Sequence, residues 1–526
     1  MEPILNISCV TLTLIDNLSF VYSLAGIPTR AVARWIDAVD LNWSARNFTT
    51  RPVPTHWPQK YLTKLALSRD RLLVTKGQNL ESYDFVADQP AFSDMRSIVT
   101  LPGIRESALL DITGISIVAP PMSMGGDEQG STTIVVGREN GQLSRYIVPP
   151  PPPSSRNHHP HDARFYGASE STAKLTATYT LPSTQPRGTP IRTLATNSAS
   201  SDSPSRFFAS LSISGLVSLF DSRAPWKLPS TFTIPRACNP WAAHLAFDSP
   251  SSPNPSSGRL FIGSSNPRPL AVHQIQPSFL DPTPIALLDD GTDEVKSPAT
   301  HSITTPGADS MAASLVWGSS DSIVVSGWHD GVVRVHDMRA GEQYRRRGTG
   351  VDSRGAPLPN ALNPVLTLAD PTTDSGAVYT VKMGGGNGSH IVAGQAVHGC
   401  VSIWDVRAPP SSPPVVSSKK RSKRPHGWSV YPPESTWTST YDIAVEGSRI
   451  WGVGGSGGWL FDFGEERYLN QGRFGYHSDN SRTWTRKMRA GNGRMRESIS
   501  RTKADGTNSV KRATTYEHGT LPGMLS

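Results

Sequence analysis

Cysteine is the residue type that this sequence uses least. Only three cysteines occur in 526 residues, Cys9, Cys238 and Cys400, and no two of them are close together. This spacing argues against a disulfide framework and against a zinc site built from cysteine pairs. It is typical of a protein in a reducing compartment.

Long apolar runs are also missing. No stretch approaches the roughly 20 consecutive apolar residues that a membrane-spanning helix needs. The most apolar segment, residues 1–27, lacks a basic start and contains Glu2 and Asp16, so it is a poor signal peptide. We therefore predict an intracellular protein of the nucleus or cytoplasm, with no membrane contact.

The positive charge is confined to two segments. The formal net charge is +8, and the excess lies mostly in Lys419–Pro425 (KKRSKRP) and in the tail after Arg482. Basic residues in flexible segments are usually a targeting signal or a solvated tail. We predict no nucleic-acid binding except through the tail, and KKRSKRP is equally compatible with a nuclear-import signal and a solvated loop.

What the sequence does have is an internal repeat. Three segments align on their turn glycines: FFASLSISGLVSLFDSRAP from Phe207, SIVVSGWHDGVVRVHDMRAG from Ser322 and HIVAGQAVHGCVSIWDVRAP from His390. Six residues after the glycine each has Asp (Asp221, Asp337, Asp405), and eight residues after it each has Arg (Arg223, Arg339, Arg407). Alternation around each turn predicts two antiparallel strands with one buried face.

Four weaker copies begin at Leu72, Thr133, Leu260 and Ile450. A further short alternating segment precedes each hairpin; these segments start at Leu62, Gly114, Ile191, Ala242, Ala312, Val378 and Thr440. Outer strands are predicted from Ser230 and Pro364. Seven such sheets would cover their apolar faces by packing in a ring. The predicted fold is all-β, a seven-bladed propeller.

The endings VSIWDVRAP at Val401–Pro409 and GVVRVHDMRAG at Gly331–Gly341 resemble those of WD repeats. The Gly-His dipeptide usual in that family is absent. We predict a propeller over residues 61–475, with long disordered loops. A short, partly helical segment over residues 1–60 precedes it, and a disordered basic tail over 476–526 follows it. The stretch AVARWIDAVDLNW from Ala31 resembles the join between an F-box and its propeller, although the F-box pattern itself is not evident.

Two enzyme signatures match only as strings. Residues 454–458 (GGSGG) fit G-x-S-x-G, and residues 452–457 fit G-x-G-x-x-G. Both mechanisms need a strand followed by a helix, whereas these glycines join two short strands. The histidines of NHHPHDARF from Asn157 have no supporting scaffold. We predict no catalytic residue, no metal and no cofactor.

The resemblance implies a role in holding other proteins. WD-repeat proteins that recruit substrates to cullin ubiquitin ligases use an ending W-D-x-R, whose Arg contacts the adaptor. Here it predicts an adaptor-binding set, with Trp404, Asp405 and Arg407 as the full match and with Asp221, Arg223, Asp337 and Arg339 as partial matches. The more ordinary interpretation is that each Asp organises its turn.

Three functions remain open at this point. The first is a protein-interaction scaffold, most concretely a substrate-recruiting subunit of a cullin-type ligase with a protein substrate. The second is a nuclear scaffold in a chromatin- or RNA-processing complex. The third is a propeller hydrolase, which would need carboxylates or histidines at matching repeat positions around the channel, and we find none.

Overall fold

The computed structural model describes the helix, the strands and the adjoining turns of the chain. The described residues are 29–46, 48–56, 62–68, 71–84, 96–102, 111–120, 130–150, 169–181, 189–196, 205–235, 238–247, 258–265, 269–276, 279–291, 299–306, 322–340, 345–346, 361–370, 376–386, 388–397, 399–407, 427–432, 438–455, 457–464, 484–486 and 514–517.

The described strands form seven sheets, which we number as blades in chain order. Each blade has four main strands, ordered from the channel outward. Blade 1 has Leu65–Leu67, Arg71–Lys76, Asn79–Asp84 and Arg96–Thr100; blade 2 has Ile112–Ile117, Thr132–Arg138, Leu143–Val148 and Lys174–Tyr179; blade 3 has Ile191–Thr196, Phe207–Ser212, Leu216–Asp221 and Ser230–Thr233; blade 4 has Pro240–Phe247, Gly258–Ser264, Leu270–Ile275 and Leu280–Leu288. Blade 5 has Thr300–Thr304, Ile323–Trp328, Val332–Asp337 and Leu366–Ala369; blade 6 has Val378–Gly384, His390–Gln395, Val401–Asp405 and Gly427–Tyr431; blade 7 has Thr440–Glu446, Arg449–Gly454, Gly457–Asp462 and Phe48–His56.

The inner strands surround the channel as a continuous ring. Each inner strand contacts the inner strand of the next blade, and that of blade 7 contacts that of blade 1. The chain is therefore a seven-bladed β-propeller, as predicted, and its apolar core lies between neighbouring blades.

The turn glycines that align the repeats have the backbone conformation that the alignment requires. Gly141, Gly215, Gly331 and Gly399 have φ of 82°, 85°, 79° and 60°. This left-handed region is strained for residues with a Cβ, which explains glycine at the turn between the second and third strands.

One expectation about burial is wrong. We predicted one buried face for each hairpin, but both faces of the second and third strands are covered by neighbouring blades. Val333 and Val335 are buried on one face, and Arg334 on the other face is 4% exposed. Its guanidinium lies 4.7 Å from the ring centroid of Trp328 and pairs with Asp330.

The N-terminal segment contributes to the propeller. The predicted helix is present as α1, Thr29–Ala45. The strand Phe48–His56 then pairs antiparallel with Gly457–Asp462, for example Thr50 with Phe461, and so supplies the outer strand of blade 7. Propeller structure thus begins ahead of residue 61, because the first and last parts of the chain share a sheet.

The inner strand of blade 5 also differs from the expectation. Thr300–Thr304 pairs with Ile323–Trp328 and occupies the position that we predicted for the segment from Ala312. Residues 312–319 lie outside the described part. The outer strands predicted from Ser230 and Pro364 are confirmed.

Some blades carry additional short strands. Ser169–Thr172 pairs with the outer strand of blade 1, and Ala361–Leu362 together with Arg345–Arg346 extends blade 4. Within the predicted tail, Trp484–Arg486 and Thr514–Glu517 pair with outer strands of blades 7 and 6. The rest of the tail lies outside the described residues.

Glycines in the second strands allow neighbouring blades to approach closely. A Cβ at Gly263 would lie 2.7 Å from the carbonyl oxygen of Thr300. A Cβ at Gly137, Gly327 or Gly394 would meet the side chain of the first residue of the next inner strand. The spacing of the inner strands therefore depends on these glycines.

We expect Gly263→Ala to destabilise the protein by about 1–3 kcal/mol, because the backbone of Thr300 has to move. Urea denaturation measures the effect. Gly464→Ala is the control, since its Cβ would meet side-chain atoms and no backbone: Ser448 Oγ at 3.2 Å, Asp462 Oδ1 at 3.3 Å and Ser448 Cβ at 3.4 Å. Equal stability of the two variants would contradict close blade packing at Gly263.

Candidate functional site

The aspartates of the Asp-x-Arg endings organise turns, as in the more ordinary of our two interpretations. The carboxylate Oδ1 atoms of Asp337 and Asp405 accept hydrogen bonds from the backbone N–H of the arginine two residues later, at 2.9 and 3.0 Å. Asp221 does the same at 3.0 Å. Asp462 makes the same bond to Gly464 in blade 7, where the sequence lacks the arginine.

Arg339 presents its side chain on the surface. Its guanidinium donates from Nε to Asp337 Oδ1 at 2.9 Å and from Nη2 to Oδ2 at 3.1 Å, and its side chain is 56% exposed. Burial opposes ionisation of Asp337, but the hydrogen bonds and charge of Arg339 outweigh burial and lower the pKa of Asp337. The guanidinium of Arg339 is therefore fixed in position by Asp337 and accessible to solvent.

Arg407 pairs with α1, and 39% of its side chain stays exposed. Its Nη1 donates to Asp40 Oδ2 at 2.8 Å, while Nε and Nη2 bind Asp405 at 3.1 and 3.0 Å. The hydroxyl of Ser44 donates to Asp405 Oδ2 at 3.2 Å. The most complete sequence match thus binds a helix of the same chain.

Trp404 lies inside the protein. It is 1% exposed and packs in the core between blades 5 and 6. The endings belong to blades 3, 5 and 6, and the structure places their side chains in different surroundings. Asp221, for example, pairs with Arg206 at 2.7 Å.

Aromatic contacts fix α1 against blades 6 and 7. Trp43 is fully buried and stacks on Phe463, with ring centroids 4.3 Å apart. It also lies 5.1 Å from the ring of His390. Asn42 donates from its side chain to the carbonyl of Phe463. The helix is thus part of the face at which the third strands end.

The opposite face contains the mouth of the central channel, a cavity of about 1100 Å³ lined by the inner strands. In six blades the pairing of the inner strand with the second strand shifts register near its start. The residues skipped by this bulge are Thr113, Arg192, Trp241, His301, Tyr379 and Tyr441. A bulge leaves one residue unpaired and re-aims its side chain, which is why bulges are frequent next to binding sites.

Five of these side chains form a continuous row, which we name the mouth arc: Arg192, Trp241, His301, Tyr379 and Tyr441. The Arg192 guanidinium carbon lies 3.9 Å from the Trp241 ring centroid. The centroid distance is 4.6 Å from Trp241 to His301, 5.7 Å from His301 to Tyr379 and 6.3 Å from Tyr379 to Tyr441. Blades 3 to 7 contribute one residue each.

The mouth arc has one cationic end and is otherwise neutral at pH 7. Burial, followed by the charges of His329 and Arg192, lowers the pKa of His301 to about 4. Burial and the nearby Tyr379 raise the pKa of Tyr441, so its hydroxyl stays protonated. Arg192 keeps its positive charge. Asp111 and Glu139 of blade 2 also line the channel.

Among the described residues, the structure gives no support for the two enzyme signatures or for a metal site. Residues 452–455, 457 and 458 fall in the antiparallel hairpin of Arg449–Gly454 and Gly457–Asp462, as interpreted from the sequence, and Ser456 lies outside the described residues. Within the described ranges, no group of three or more His, Cys, Asp or Glu side chains could hold a metal ion. The segments NHHPHDAR and KKRSKRP lie outside those ranges.

Sequence reasoning missed the mouth arc, although a signal was available. Arg192, Tyr379 and Tyr441 are each the second residue of an inner strand, and Trp241 directly precedes the segment that we identified from Ala242. Aligning the inner strands as the turn glycines were aligned would have revealed the pattern. His301 could not be found in this way, because the inner strand of blade 5 was predicted from Ala312 and not from Thr300.

The fold defines a β-propeller consistent with the WD40 type, a class that typically serves as a scaffold for protein interactions. No protein-family model matches the chain, and no curated protein sequence is similar enough to count as a match. No helix in the described part of the chain is long and apolar enough to cross a membrane.

Proposed function

We propose that this chain is a non-catalytic scaffold that binds a polypeptide segment of a partner at the channel mouth, on the mouth arc. The observation that carries the proposal is the arc itself: five large side chains at one bulged position in successive blades. A fold that needed only a bulge could use a small residue there, as blade 2 does with Thr113.

The chemistry of the mouth arc suits a peptide. Aromatic rings supply contact area at low cost in side-chain entropy, and Trp, Tyr and Arg dominate binding energy in protein interfaces. The arc is held by contacts between its own members, so little ordering is required on binding. The Glu139 carboxylate on the same channel offers an acceptor for a cationic or backbone donor group.

Affinity purification with mass spectrometry tests this proposal. We expect a partner that co-purifies with the wild-type chain to be reduced tenfold or more with Tyr379→Ala, as for a residue that dominates binding. Thr113→Ala is the matched control, because it changes the same bulge position outside the mouth arc. Equal recovery of the partner with the wild-type chain and with both variants would contradict the proposal.

A more specific assignment, a substrate-recruiting subunit of a cullin-type ubiquitin ligase, is a second proposal. Its support is the exposed guanidinium of Arg339, held by Asp337. Arg407 is 39% exposed but already pairs with Asp40 of α1 and with Asp405. Arg339→Glu is thus the cleaner test, since Arg407→Glu would also disturb the helix through Asp40.

For the ligase proposal, we expect adaptor and cullin to co-purify with the wild-type chain and to be lost with Arg339→Glu. Lys174→Glu, an exposed charge reversal on blade 2, is the control. Adaptor recovery that survives Arg339→Glu would remove the residue-level support. The nuclear-scaffold alternative depends on basic segments outside the described residues and stays a prediction.

A further inference from the structure

A loop of blade 3 carries two apolar side chains into solvent. Trp226 is 81% exposed and Leu228 is 85% exposed, the two highest values among the large exposed apolar side chains of the described residues. Single exposed apolar residues are common, but a tryptophan rarely contributes so little of its surface to the fold. Neither side chain packs against a core, so the native fold does not explain them.

The loop is held in place at its base. The N–H of Ala224 donates to the carbonyl of Asp221 at 3.2 Å, and the N–H of Lys227 donates to the carbonyl of Ala224 at 3.0 Å. Arg145 of blade 2 donates to the carbonyl of Ser222, which is fully buried. A side chain presented by such a loop loses little freedom on binding.

The loop is also cationic. Asp221 is neutralised by Arg206, with Nη2 and Oδ2 2.7 Å apart. Within the described part of the chain, no acidic side chain forms an ion pair with Arg223 or Lys227. We name the projection formed by residues 223–228 the blade 3 knob. It combines two apolar side chains with two positive charges.

We infer that the blade 3 knob inserts into an apolar pocket of a protein partner whose rim carries aspartate or glutamate. Buried Trp and Arg anchors surrounded by a polar rim are the usual source of affinity in protein interfaces. A protein pocket fits better than a lipid surface, because even a full acyl chain gives only marginal membrane binding. The two apolar side chains of the knob would bury less apolar surface in a membrane than one acyl chain does.

This surface is separate from the mouth arc. Asp221 ends the third strand beside Phe207, whereas Arg192 lies near the turn at Gly215, at the other end of the blade. A six-residue strand spans about 17–20 Å. A partner of the blade 3 knob and a peptide on the mouth arc could bind together, and failure of either proposal leaves the other standing.

Site-specific photo-crosslinking of the full chain tests the inference. Trp226→p-benzoylphenylalanine is compared in cells with the same replacement at Ile285, which is 44% exposed on the outer strand of blade 4. We expect Trp226 alone to give one crosslinked protein, joined through a segment of apolar and acidic residues. The purified partner is then expected to bind Trp226→Ala at least about tenfold more weakly than wild type, and Lys227→Glu more weakly as well.

Thermal denaturation checks the variants, and since both side chains are exposed we expect unchanged midpoints. Three results would overturn the inference: no crosslink above the Ile285 level, a crosslink to a second copy of this chain, or a partner affinity that Trp226→Ala leaves unchanged. Sedimentation with phosphatidylserine–phosphatidylcholine vesicles covers the remaining alternative. Vesicle binding that Trp226→Ala abolishes would assign the knob to a membrane instead.

Discussion

Removal of residues 1–57 is expected to open the propeller ring and to cost at least about 5 kcal/mol of unfolding free energy. The deletion removes the outer strand of blade 7 and with it the buried side chains of Phe48 and Val53, each of which contributes roughly 1.5–3 kcal/mol. It also removes α1 with the buried Trp43. The strand Gly457–Asp462 then becomes an unpaired edge, which favours association between chains.

Deletion of residues 1–46 is the matched comparison. It removes α1 and keeps the strand Phe48–His56, so the difference between the two deletions isolates strand closure. We expect the shorter deletion to remain monomeric with a reduced midpoint, and the longer one to self-associate. Denaturation and size-exclusion chromatography report both properties. Identical behaviour of the two deletions would show that the strand does not close the ring.

Acidification from pH 7.5 to 5 is expected to lower stability steeply. Burial lowers the pKa of His244 to about 3 and those of His336 and His390 to about 4. The unfolded chain keeps histidine pKa values near 6.5. As the pH falls from 6.5 toward 4, the unfolded state therefore binds protons that the folded state does not.

Each such histidine lowers the unfolding free energy by up to about 1.4 kcal/mol per pH unit within that window, and stability is flat above it. His336→Gln should reduce the dependence of the unfolding free energy on pH by up to about 1.4 kcal/mol per pH unit. A glutamine amide can replace Nε2–H as donor to the carbonyl of Asp289, 2.8 Å away in the wild type. Urea denaturation at several pH values measures this. An unchanged slope in the variant would contradict the neutral, buried state of His336.

The fold was predictable because its signals are local. Turn glycines with positive φ recur in five blades, at Gly77, Gly141, Gly215, Gly331 and Gly399, and short alternating strands recur in all seven, so the number of blades follows from the sequence. The closing strand Phe48–His56 was not predictable in this way. It pairs with residues more than 400 positions away, and its own composition, with three polar threonines and two prolines, carries no strand alternation.

The candidate site was only partly predictable. The Asp-x-Arg spacing located the turns, but it did not reveal that Arg407 would bind Asp40 of α1 while Arg339 remained exposed. That difference depends on where a helix docks. The mouth arc depends on bulges that re-aim one residue in the inner strands of six blades, and these bulges do not change the hydrophobic pattern from which the strands were predicted.

Hydrogen–deuterium exchange of the full chain, with and without the partner recovered by affinity purification, tests the central claim most directly. Binding at the channel mouth predicts added protection in peptides that contain Arg192, Trp241 and Tyr379. It predicts unchanged exchange around Arg339 and α1. Protection confined to the face of Arg339 and α1, with no change at the mouth arc, would contradict the account.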